Sequence, residues 1–169
     1  MKNPLALVFA LTVLAAPAAA QTAEEKRAAG VPERGDHVMG FDHEKTVHHF
    51  RLTRDGGVIE AEAKDPDDAE SRDQIRAHFT HIAAMFSAGD FEAPMLIHEK
   101  RPPGVSVMKR RKSEIRYAFE PTGRGGRIVI ATKSPEALSA IHAFLHFQIK
   151  DHGTGDSKDV AVDKAASTQ

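Results

Sequence analysis

Histidine and methionine carry the chemistry in this sequence, and they concentrate at residues 37–50, HVMGFDHEKTVHHF. Four of the ten histidines fall there, with Met39, Asp42 and Glu44 between them. Neutral imidazole binds copper, zinc or nickel, and a thioether adds preference for Cu(I). The candidate metal ligands are therefore His37, Met39, His43, His48 and His49. His78 and His81, three apart on a predicted helix with Met85 four further on, join the set if the loop folds over that helix. His48 and His49 are neighbours on a predicted strand and point to opposite faces, so one binds while the other packs. His142 and His146 form a second helical pair, which reads with His152 as a solvated flank.

Other chemistries lack their residues. The chain has no cysteine, which excludes disulfides, thiolate metal sites and covalent haem attachment. It has no Gly-x-Ser-x-Gly elbow, no His-Glu-x-x-His and no phosphate-binding loop. Asp42 and His43 with a hairpin histidine make a weaker acid–base reading, because no nucleophile is paired with them. Glu60 and Glu62 read as the solvated side of an amphipathic strand. The Lys109–Lys112 basic run reads as the charged guard of a sheet edge. A formal net charge of −1 argues against nucleic acid as a partner.

The positioning elements follow from periodicity. Residues 47–52 and 58–63 flank Asp55-Gly56-Gly57, a hairpin signal because glycine adopts positive φ freely. Ile75, Phe79, Ile82 and Phe86 recur on one face of a helix spanning 69–88, which Gly89 ends. Residues 94–98 read as a short extended piece. A second hairpin covers 115–120 and 127–132, and Ser134 with Pro135 starts a helix over 135–151.

The two halves match each other. Phe50 and Phe119 each precede a Gly-Gly turn by six residues, and IRAHFTHIAAMFSAGD from Ile75 aligns without gaps on IHAFLHFQIKDHGTGD from Ile141. The predicted fold is α+β, with two ββα repeats (about 46–90 and 115–152) forming a four- to five-stranded antiparallel sheet with both helices on one face. Residues 37–152 form a single domain on this reading. A flexible lead-in covers 21–36, and a disordered tail covers 153–169.

Residues 1–20 read as a cleavable signal peptide: Lys2, an apolar run at 5–16, and Ala18-Ala19-Ala20 before the cut. The run is shorter than the roughly 20 residues that span a bilayer. Cleavage after Ala20 leaves no stable membrane insertion and predicts a periplasmic or secreted protein.

MGFDHEKTVHHF, SRDQIRAHFTHIAAMFSAGDFEAPM and EALSAIHAFLHFQIKDHGTGD together resemble a family of small exported bacterial proteins of unassigned function. The resemblance spans residues 39–156 and implies an exported domain, with no activity or cofactor attached. The expected function is capture of copper or zinc by the His/Met-rich segment, for sequestration or transfer, with affinity falling as imidazoles protonate near pH ~6. The alternative is a metal-free periplasmic module that binds a protein or small ligand, with the histidines as ordinary polar residues.

Overall fold

Alternating burial sets the sheet. In a computed structural model, which describes residues 22–161, β1 (Thr46–Thr53), β2 (Gly56–Ala63), β3 (Ile115–Pro121) and β4 (Gly125–Thr132) pair antiparallel in the order β1-β2-β4-β3. Phe50, Ile59, Ile128 and Phe119 are successive cross-strand neighbours in one row of the inner face. The open face carries the ion pairs Arg51–Glu60, Arg124–Glu62 and Arg127–Glu120.

Both long helices cover the inner face. Helix α3 (Ala69–Ala88) is capped by the Asp68 carboxylate and ends at left-handed Gly89. Helix α6 (Pro135–His152) is capped by the Ser134 hydroxyl. Phe86 of α3 meets the ring of Tyr117 edge-on, while Leu145 of α6 packs where Gly57 has no side chain. A Cβ at residue 57 would collide with that leucine, so the glycine sets how closely α6 approaches β2.

Several segments differ from the sequence expectation. Residues 94–98 lie in helix α4 (Glu92–His98) and not in a strand, so the sheet has four strands. Pro94 falls in the helix's first turn, where no intrahelical N–H is needed, and Ala93, Pro94, Ile97 and His98 are buried at helical spacing. Residues expected as a flexible lead-in form α1 (Ala23–Ala29), started by a Thr22–Glu25 capping box, and α2 (Val31–Met39), with proline in its first turn. The basic run lies on α5 (Val105–Arg110) and a 3-10 turn at Lys112–Glu114 that leads into edge strand β3, and not on a strand itself. There Arg111 pairs with Glu114 and Glu136. Of the residues expected as a disordered tail, 153–161 run back along β1, with a parallel bridge between Leu52 and Val160. The expected signal peptide and residues 162–169 lie outside the described residues. No helix among the described residues is long and apolar enough to cross a membrane.

The core closes on Phe144, which is 1% exposed and meets the rings of Phe86 and Phe91, each with centroids 6.2 Å away. Phe144→Ala leaves a cavity that three elements cannot all collapse into. A loss of about 3–5 kcal/mol is expected in urea unfolding; a loss under ~1 kcal/mol would mean that α6 does not anchor the core as described.

Candidate metal-binding cleft

The inner row of the sheet runs out at His48. Its cross-strand neighbours are Ala61 and then Gly126, over which the Phe119 ring packs, and an open space lies on the other side of His48, towards α2 and the end of α6. Four donor side chains close around that space from four places in the chain. Met39 is the last residue of α2, before left-handed Gly40 turns the chain away. His43 comes from the turn that follows, His48 from β1 and His152 from the last turn of α6. All four line one cavity of about 240 Å³. A second cavity of about 60 Å³ shares Met39, His48 and His152 and adds His78 from α3, with Phe50, Phe79 and Ile82 as apolar wall.

Ring packing holds the imidazoles. His48 stacks between Phe41 (5.6 Å between centroids) and His152 (5.7 Å), each tilted by 22°. His78 meets Phe41 edge-on at 5.6 Å, and His152 stands perpendicular to His98 at 5.0 Å. His48 Nε2 is closed off from solvent and has no hydrogen-bond partner. A buried ring nitrogen left bare costs roughly 1–3 kcal/mol.

His43 is prepared differently. Asp36 accepts from its backbone N–H at 2.8 Å and from its Nδ1 at 2.7 Å. With the proton on Nδ1, Nε2 presents a lone pair, the arrangement by which a carboxylate orients a metal-ligating histidine. Asp36, Asp42 and His43 also offer ligand atoms that all lie within 4.8 Å of one another. No three of His43, His48, His78 and His152 stand that close, so these imidazoles line the cleft without yet converging.

Behind His152 lies a buried polar cluster that sequence reasoning missed. His98 is fully buried, with Nδ1 2.5 Å from Asp151 Oδ2 and Nε2 2.9 Å from Gln148 Oε1. Arg27 of α1 grips both oxygens of Asp151 and also donates to the His98 carbonyl at 2.9 Å. Burial alone would raise the Asp151 carboxyl, but hydrogen bonds from Arg27 and His98 hold it down at about 2. Burial lowers His98, against the pull of Asp151. One signal was legible: Gln148 and His152 extend the buried stripe Ile141, Phe144, Leu145, Ile149 at helical spacing, so neither is a solvated flank residue.

The remaining predicted ligands do not join the cleft. His37 lies on another side of α2, against Leu96. His49 is on the opposite face of β1 from His48 and pairs with Asp156 at 2.9 Å. His81 is exposed on α3. On α6, His142 donates from Nε2 to the Thr53 and Gly56 carbonyls at the β1–β2 turn, and His146 to the Lys158 carbonyl, so both tie α6 to other segments. No protein-family model, curated protein or solved structure matches this chain.

Burial holds His48, His78 and His152 uncharged. It lowers His48 and His78 to about 4 and His152 to about 3 from the usual 6.5, with neighbouring imidazoles adding to the shift. As the pH falls from 6.5 towards 4, the unfolded chain takes up protons that the folded chain refuses. Stability is therefore full above pH ~6.5 and declines through that window. Without metal, the urea midpoint should drop between pH 7 and pH 4.5, and less steeply in His152→Phe. A flat profile in the parent protein would rule out buried neutral imidazoles.

Proposed function

We propose that this chain binds one soft transition-metal ion, copper ahead of zinc, through Met39, His43, His48 and His152. His78 stands as a further donor from the adjoining cavity. The observation that carries the reading is the bare, enclosed Nε2 of His48 in a wall shared with a thioether and two other imidazoles. Thioether and imidazole form a soft set that favours Cu(I). Asp36, through its bond to His43 Nδ1, acts as the outer support of a ligand. Zinc has a harder option at Asp36, Asp42 and His43. His37, His49 and His81 are left out of the donor set, narrowing the sequence expectation. A thioether and imidazole set wrapped by both ends of the described chain suits sequestration or hand-over of the ion better than a reaction.

Two expectations about origin and address belong with this reading. Export with cleavage after Ala20 rests on the pattern of residues 1–20. Duplication of a ββα unit is supported by the register at the sheet centre. Gly56 pairs with Ala131 and Glu62 with Gly125, two pairings related by the same offset of 69 that relates Phe50 to Phe119 and Ile59 to Ile128.

Titrating the protein with Cu(I) against a competing chelator should give one tight site per chain. His48→Ala and His152→Ala should each weaken it by about tenfold or more, and Asp36→Asn by about 10–100-fold. His37→Ala and His81→Ala should leave it unchanged. Only loose, multi-site uptake, insensitive to His48 and His152, would discard the metal reading in favour of a metal-free binding module.

A further inference from the structure

We infer that α1 and α2 form a strap that opens and closes the cleft, held shut by the grip of Arg27 on Asp151. The metal-binding reading supplies the purpose of this motion, but the motion is testable without metal. Helix α2 provides Val31, Pro32 and Met39 to the cavity wall, so the strap is one side of the cleft. Its attachment is polar along α1, and along α2 it adds Val31 and the partly buried Val38 and Met39 against the core. Helix α1 buries no side chain, and α2 buries only Val31 and Gly35. Besides Arg27, the fastening includes Arg34, which donates to the Ile97 carbonyl at 2.7 Å and pairs with Glu99 at 3.3 Å, Glu24, which pairs with Lys100 at 2.7 Å, and Asp36, which bonds His43 just beyond Gly40.

Helices of seven and nine residues do not hold their shape alone, and a segment with little buried apolar surface detaches well below the cost of global unfolding. Gly40, at φ +76° with nothing near its Cβ position, is the joint to the rest of the chain. The clasp suits repeated opening. Both partners are largely buried, yet when Arg27 leaves, Asp151 keeps its bond from His98. The carboxylate is not stranded, which avoids the main penalty of breaking a buried ion pair. Asp151 also precedes His152 in the chain, so the clasp fastens the helical turn that carries a cleft donor.

The absence of cysteine makes an engineered thiol a clean reporter of opening. Thr46→Cys places it in the cavity wall, at a residue 3% exposed, and Ala83→Cys places a control in α3 at a residue 7% exposed. With a disulfide reagent, Arg27→Ala should speed labelling at residue 46 by about tenfold or more and leave residue 83 unchanged. Arg27→Lys, which keeps the charge but loses the fork, should fall between and serves if the alanine variant does not fold. An unchanged rate at residue 46, or equal acceleration at both thiols, overturns the strap. In the Cu(I)-loaded protein, Arg27→Ala should release the ion faster to a bathocuproine chelator at the same stoichiometry. Faster labelling at residue 46 in a protein that takes up no Cu(I) would uphold the strap and remove the metal reading.

Discussion

Uncharged imidazoles packed against an apolar core are the constraint on which the rest of this structure depends. A charged imidazole is poorly tolerated where His48, His78 and His152 sit, because the surrounding rings and aliphatic side chains cannot solvate it. The same burial that opposes protonation leaves ring nitrogens with lone pairs and few partners. Aromatic stacking then fixes their planes: Phe41 and His152 hold His48 from two sides, and His98 stands against His152.

The sheet provides the floor and its edge. The cavity lies where edge strand β1 meets the two covering segments, with His48 and Thr46 as its floor and Met39 and His152 in its walls. Both ends of the described chain then close over it. On one side are α1 and α2, fastened by arginines. On the other is the turn after α6, where Asp156 accepts from the Phe50 N–H and pairs with His49. Edge strand β1 is thereby covered along part of its free side by the chain's own tail.

The Arg27–Asp151–His98–Gln148 cluster links these two parts. It is a buried ionic network with good geometry, in which Asp151 accepts from both a guanidinium and an imidazole. Gln148 Nε2 stays buried without a partner in that arrangement. The cluster joins α1, α4 and α6, three elements far apart in sequence, at the back of the cleft.

Periodicity and turn chemistry made most of the scaffold legible in the sequence. Alternation and the Gly-Gly turns located both hairpins, and apolar spacing with Asp68, Gly89, Ser134 and Pro135 located α3 and α6 to within a residue or two. The short helices were not legible, because Glu92–His98 and Val31–Met39 are too brief to show a period and take their stability from what they touch. Strand alternation separated His48 from His49, but which of the two faces the core follows from the pairing of β1 with β2. His98, Asp151 and Arg27 are separated by 53 to 124 positions where they bond, and no local pattern encodes such a meeting. The sequence by itself determined the donor types and the strand and long helices that carry His48, His78 and His152, because composition and periodicity are local properties. Only the tertiary structure decided that Met39, His43, His48 and His152 share a cavity while His37, His49 and His81 do not, because convergence depends on how elements pack and which face each one buries.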